Sequence, residues 1–175
     1  VDLDPQASAT LAFDRVPSAD APLFCDVWAA PDDLTEHALV PVLPNLALLP
    51  SALENGLLET ALSDPQAQLI AVRGGCKALV QQGFDLVLVD CPPTLGTATI
   101  SAVCAADVVV IPLGCDPYSL NALELTTQEI QAICRNYKMD EPQVLILVSR
   151  FDRREKAARE IFETLVDEHP EHLVR

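Results

Sequence analysis

Three short apolar runs constrain this chain more than anything else in it: Leu86-Val87-Leu88-Val89, Val108-Val109-Val110-Ile111 and Val144-Leu145-Ile146-Leu147-Val148. Each is continuous rather than alternating, and rich in β-branched residues. A strand with one wet face alternates; a strand covered on both faces does not. Such strands need helices above and below them. Leu46-Ala47-Leu48-Leu49 and the stub Val1-Asp2-Leu3 read as two further strands. Helical spacing fills the intervals. Leu69, Val72, Cys76, Leu79 and Val80 share one face. A helix that Ser119 can cap aligns Leu120, Leu123, Ile130, Ile133 and Tyr137. Ala157, Ala158, Ile161, Leu165 and Val166 align near the end. Strand and helix alternate, which predicts an α/β fold: a doubly wound, mostly parallel sheet with helices on both faces. Length favours one domain, residues 1–175. The first fifty residues carry seven of the 14 prolines, so 5–45 reads as mostly loop with short helices, one near Asp33–Ala38.

Composition narrows the function classes. Half the residues are hydrophobic, enough for a core and too many for a disordered chain. No apolar run approaches the ~18 residues of a membrane helix. Val1 opens directly on strand-like residues with no secretory signal pattern, so we expect a cytoplasmic chain cut from something longer. The net charge of −15 opposes a general affinity for nucleic acid or anionic membrane. It is uneven, however: residues 150–175 hold six of the 11 cations, so a polyanion surface would have to be local to the last helix. The six cysteines form no Cys-x-x-Cys pair and read as reduced, partly buried thiols.

Chemistry concentrates at two strand ends. In Phe84-Asp85-Leu86-Val87-Leu88-Val89-Asp90-Cys91-Pro92-Pro93, an acid closes a buried strand at its C-terminal edge, where open α/β sheets bind ligands. A carboxylate there can hold Mg²⁺, usually through water. Pro92-Pro93 stiffens the turn, and Gly96 lets the backbone approach a phosphate at the start of the next helix. The plain alternative is an aspartate that caps a turn; Asp-x-Pro-Pro followed by glycine favours the metal reading. In Val1-Asp2-Leu3-Asp4-Pro5-Gln6-Ala7-Ser8-Ala9-Thr10, two carboxylates two residues apart point the same way. One could orient a water and the other assist a metal; a solvated acidic turn fits these residues equally well.

Together, Asp2-Leu3-Asp4-Pro5-Gln6, Asp90-Cys91-Pro92-Pro93-Thr94-Leu95-Gly96 and Ala105-Ala106-Asp107-Val108-Val109-Val110-Ile111-Pro112 resemble the ParA/Soj/MinD group of deviant-Walker ATPases, closest to the ParA partitioning branch. The resemblance covers nearly the whole chain. It implies a P-loop NTPase-like fold, here incomplete, that binds ATP and Mg²⁺. It implies an ATP-dependent homodimer that binds DNA without sequence preference, associates with the nucleoid, and hydrolyses ATP when a ParB-like partner stimulates it. Carried over residue by residue, Asp4 would be catalytic and position the attacking water. Asp90 would be the metal partner, and Asp2 would lie near the metal's water shell. Pro92, Pro93 and Gly96 would belong to the turn that senses the terminal phosphate.

The departures are as informative. The family's phosphate loop needs Gly-x-x-x-x-Gly-Lys-Ser/Thr. The three lysines here, Lys77, Lys138 and Lys156, never follow a glycine. Arg73-Gly74-Gly75-Cys76-Lys77 is the nearest imitation and lies in a helical pattern. Without a phosphate loop this chain should not hydrolyse Mg-ATP, and a sheet without that loop's strand should expose an unpaired edge. A non-catalytic remnant or interaction module of the same fold is the alternative. No Gly-x-Gly-x-x-Gly follows any strand, which argues against a dinucleotide binder. Arg150, Arg153, Arg154, Lys156 and Arg159 could touch DNA phosphates, or simply form helix-surface pairs, Glu155 with Arg159 and Lys156 with Glu160. Trp28 reads as core; His37, His169 and His172 read as solvated.

Overall fold

The computed structural model describes residues 1–15, 21–29 and 38–174. The chain divides into two compact units, Val1–Ala105 and Ala106–Arg175.

The first unit is built around the stub at its start. Asp2 N–H donates to the Leu49 carbonyl at 3.0 Å, Asp90 N–H to Val1 at 2.8 Å, and Leu3 N–H to Asp90 at 2.9 Å. Residues 1–3 therefore run between the segments ending at Leu49 and Asp90, with a parallel bridge joining Asp2 to Asp90. Leu3, Phe24, Leu49, Leu58, Leu62 and Val72 form the centre of the core, and Trp28 packs against it as expected.

The run 86–89 departs from its reading. Val87 and Val89 pack on the core, but Leu86 and Leu88 are 71% and 67% exposed. The strand alternates after all. Helices α4 (Pro65–Gln81) and α5 (Thr97–Ala105) supply core residues on one side of it, and Leu86 and Leu88 stay exposed on the other among the described residues.

Leu46-Ala47-Leu48 is also a strand of a different kind. It forms β2 (Leu46–Leu48), antiparallel to β1 (Val40–Leu43) across a Pro44-Asn45 turn. The loop reading of 5–45 missed β1, α1 (Ser8–Ala12) was read only generically, and α2 is a single turn at Phe24–Val27. The helix expected near Asp33–Ala38, and His37 with it, lie mostly outside the described residues.

A turn of 3₁₀ helix, Leu53–Leu57, runs into α3 (Leu58–Ala61). Helix α4 starts where its sequence says it should: the Asp64 carboxylate accepts the Ala67 N–H at 3.0 Å, and Pro65 takes the first helical position. The Arg73–Lys77 stretch lies inside α4, with Gly75 buried. Helix α5 is apolar nearly all round and packs on α4, where the Arg73 guanidinium donates to the Cys104 carbonyl.

In the second unit, β3 (Val108–Leu113) and β4 (Gln143–Val148) pair in parallel, in register from Val108↔Gln143 to Leu113↔Val148. The connection is α6 (Ser119–Tyr137), as a parallel pair requires. Ser119 is the first helical residue rather than the cap. Tyr118 is the capping position, without a side-chain cap bond; just ahead of it the Asp116 carboxylate accepts the Tyr118 N–H at 2.9 Å, and the Asp116 N–H donates to Ser119 Oγ at 3.3 Å. Ile146 also bridges Leu173, so β4 lies between β3 and the residues around 173. Val108 and Val110 stand 43% and 47% exposed on β3. Helix α7 (Lys156–Glu168) packs back through Phe162, whose ring centroid lies 4.9 Å from that of Phe151. His172 is not simply solvated: its Nδ1 lies 2.8 Å from the Val144 carbonyl and so carries a proton. None of the six cysteines, all among the described residues, forms a disulfide.

The Asp64 cap yields a direct check. Asp64→Ala should cost about 1 kcal/mol, seen as a lower urea midpoint with an unchanged denaturant slope.

Candidate functional site

The site begins with a carboxylate that has no exposed surface. Asp2 is 0% exposed, and both its oxygens are engaged. Oδ2 accepts from the Thr10 N–H at 2.9 Å and the Thr10 hydroxyl at 2.7 Å; Oδ1 accepts from the Asp4 N–H at 3.1 Å. The loop 4–10 is thereby folded over Asp2. Local chemistry helps: Pro5 fixes its own φ, and the Asp4 side chain accepts the Gln6 N–H at 2.9 Å. Ala7 then turns the chain into α1 with φ 55 and ψ 37, the left-handed region that normally selects glycine.

A second layer clamps this loop to the segment after Leu49. Thr10 Oγ1 accepts the Ser51 N–H at 2.8 Å, and the Ser51 hydroxyl donates to the Asp4 carbonyl at 2.7 Å. Asn55 Nδ2 donates to Ser51 Oγ at 2.8 Å, and Asn55 Oδ1 accepts the Cys25 N–H at 3.1 Å. A cavity of about 550 Å³ opens beside the loop, lined among others by Gln6, Thr10, Arg15, Asp26 and Glu54.

The bridge to Asp2 brings Asp90 into the same site. Asp90 is exposed, and its carboxyl is held above the ordinary aspartate value, by partial burial first and then by the negative charges of Asp2 and Asp4. Burial and the Asp90 charge push the Cys91 thiol up to about 11. Beyond it, the Pro92–Gly96 turn is closed by the Thr99 hydroxyl, which donates to the Thr94 carbonyl at 2.8 Å. The space against Gly96 is taken by the Glu59 carboxylate, which a Cβ at position 96 would overlap. The same carboxylate accepts the Thr97 N–H at 3.0 Å. The close approach that the sequence reading reserved for a phosphate is thus made by a side chain of the protein itself.

Asp4 and Asp90 offer hard oxygen donors in a locally negative setting, which suits a divalent cation. Among the described residues no group of three or more metal-ligating side chains stands together. The residues do not fit a triphosphate cradle: no Gly-Lys-Ser/Thr occurs in the chain, and its nearest imitation is helical. Asp2, Asp4, Asp90 and the Pro92–Gly96 turn come together. Thr10 lies in the segment singled out from sequence but without a role there, and Ser51, Asn55 and Glu59 are not singled out by it. A weak signal for three of them existed in the four-residue spacing of Ser51, Asn55 and Glu59.

The basic residues belong to the second unit and are divided in their contacts. Arg150, at φ 52, brings its guanidinium towards Gly114 and Asp116. Arg154 pairs with Asp152 at 2.7 Å, and Lys156 with Glu160 at 3.2 Å as its spacing predicts. Arg153 and Arg159 are exposed.

Residues 1–141 match the sequence profile of a family described as an AAA domain. The chain is 26% identical over 163 residues to the sporulation initiation inhibitor protein Soj of Bacillus subtilis, covering 93% of this chain and 64% of that protein. It is 28% identical over 174 residues to the cell division protein PomZ of Myxococcus xanthus, covering 99% of this chain and 54% of that protein. The chain thus spans between half and two thirds of the length of these relatives. A solved structure of cobyrinic acid a,c-diamide synthase from Mycobacterium smegmatis, with a bound ATP analogue and magnesium, superposes with a TM-score of 0.78 at 25% identity, over 96% of this chain and 68% of that one. Among the described residues no helix is long and apolar enough to cross a membrane.

Three outcomes follow from the geometry. Asp2→Ala leaves the buried Thr10 hydroxyl and N–H without their acceptor and should cost about 3 kcal/mol in urea unfolding. Ala7→Gly relieves the left-handed backbone and should stabilise the fold by about 0.5–1 kcal/mol. Asp90 is harder to ionise folded than unfolded, so its contribution to stability falls as pH rises from 3.8 through its raised value. The urea midpoint of Asp90→Asn without added metal should therefore match wild type below that window and exceed it above.

Proposed function

This chain belongs to the AAA domain family, in its ParA/MinD-type ATPase branch, and from that premise we propose that it is the metal- and switch-bearing portion of a DNA-partitioning ATPase. One observation carries the reading. The parallel bridge between Asp2 and Asp90 sets the Asp-x-Asp-Pro loop beside the Asp-Cys-Pro-Pro turn, although the two are far apart in sequence.

The roles divide by environment. Asp90 is the exposed carboxylate at the strand's C-terminal edge and holds Mg²⁺ through water. Mg²⁺, when bound, neutralises phosphate charge. Asp4 lies on a loop fixed at both ends, its carboxylate part-exposed and one oxygen committed to the Gln6 N–H. It is placed to accept a hydrogen bond from a water and orient it. Asp2 acts through that loop: with both oxygens engaged, it positions Asp4 rather than meeting the metal's water shell directly. Pro92, Pro93 and Gly96 form the turn that follows the metal residue.

The 175 residues offer no cradle for the phosphates, so turnover is proposed for the intact protein alone. There, ATP-dependent pairing of two copies would switch DNA binding on, and a ParB-like partner would stimulate hydrolysis. Arg153 and Arg159 are the exposed cations available to DNA phosphates. A cytoplasmic, nucleoid-associated location follows from that role.

The test is turnover in the intact protein. Asp4→Ala should lower ATP hydrolysis by about 10²–10⁴-fold while leaving ATP binding in place. The 175-residue chain alone should show no Mg-ATP hydrolysis above background. Wild-type turnover by Asp4→Ala would remove the proposed role of Asp4, and turnover by the short chain would remove the requirement for a phosphate loop.

A further inference from the structure

Ser51, Asn55 and Glu59 recur every fourth residue, Ser51 just ahead of the 3₁₀ turn, Asn55 within it and Glu59 in α3, and each meets a different part of the site. Ser51 grips the Asp4 loop twice, through its N–H to Thr10 Oγ1 and its hydroxyl to the Asp4 carbonyl. Asn55 sits between, buried at 1% exposure, donating to Ser51 Oγ. At the other end the Glu59 carboxylate fills the space above Gly96 and accepts the Thr97 N–H, while the Thr97 hydroxyl donates to the Leu58 carbonyl at 3.1 Å. Loop 4–10 and turn 92–96 follow the bridged residues Asp2 and Asp90, and both are also fastened to residues 51–59.

We propose that residues 51–59 are a tie bar that makes the Asp4 loop and the Pro92–Gly96 turn move as one, with Glu59 as its releasable latch. The two ends are built differently. The Ser51 end is buried and multiply bonded, so it opens only with the core. The Glu59 end is an exposed side chain making a charge-assisted bond to a helix N-terminus, which a competing contact can displace. Gly96 leaves the room the carboxylate occupies, and a side chain there would displace it. A displacement of the turn would therefore pull on Glu59 and, through Asn55 and Ser51, reach the backbone carbonyl of Asp4. The consequence for catalysis rests on the function proposed above; the coupling itself does not, and is measured without nucleotide.

Amide hydrogen exchange in the intact protein, free of nucleotide, reads it out. Glu59→Ala should speed exchange at Thr97 about tenfold, and at Thr10 and Ser51 by a smaller factor of roughly three. Interior amides of α4 should not change, as they would if the substitution merely loosened the fold. Glu59→Gln keeps an acceptor oxygen and should restore most of the protection. Gly96→Ala should reproduce the Glu59→Ala pattern and add little to it in the double variant. Unchanged exchange at Thr97 in Glu59→Ala overturns the latch. A change at Thr97 that leaves Thr10 and Ser51 at wild-type rates overturns the coupling. Full additivity of Gly96→Ala and Glu59→Ala shows the two act separately and overturns the proposal as well. Loss of ATP hydrolysis plays no part in these outcomes, so failure of the partitioning reading would leave them interpretable.

Discussion

A carboxylate without solvent must be fully hydrogen-bonded, or it costs the fold several kcal/mol. Asp2 meets that demand with three donors from the loop that follows it, which Ser51 clamps from its other side. The requirement therefore runs in both directions. The loop is ordered because the buried acid needs it, and the acid can be buried because the loop supplies its donors. Everything else at the site follows from this exchange. Asp4 is fixed two residues away, Thr10 is turned inward to receive Ser51, and Asp90 is brought alongside by the bridge on the other side of the strand.

The same strand explains the exposed apolar residues. In the first unit Val87 and Val89 reach the core while Leu86 and Leu88 do not; in the second, Val108 and Val110 are similarly bare. Exposed aliphatic side chains on an extended segment invite pairing with other chains. The acidity of the sequence opposes that. Residues 1–149 hold five cations against 19 acids, enough like charge to keep copies apart at low salt.

Much of this was legible in the residues. Continuous β-branched runs located β3 and β4, and helical spacing located α4, α6 and α7, because burial imposes those periods directly. The run 86–89 was misjudged for a physical reason: continuity shows that a strand can be covered on both faces, not that a cover is present. Strand β2 is legible but its partner is not, since three apolar residues do not reveal whether a Pro44-Asn45 turn sends the chain back. The carboxylates stood out because acids beside apolar runs are conspicuous. Ser51, Asn55 and Glu59 did not, because polar residues near a helix start are commonplace and their meaning lies in what they touch across the fold. Gly96 was recognised as a point of close approach, but not what approaches it.

Cys91 follows Asp90 immediately, and its thiol is held in the protonated form by burial and by that neighbouring charge. Protonated thiols are poor nucleophiles, so the sulfur is guarded against oxidants and alkylating reagents while the strand end stays closed. Any event that exposes it, or that places a cation beside Asp90, lowers the barrier to the thiolate. The labelling rate of Cys91, the residue that follows Asp90, therefore reports whether this strand end is closed.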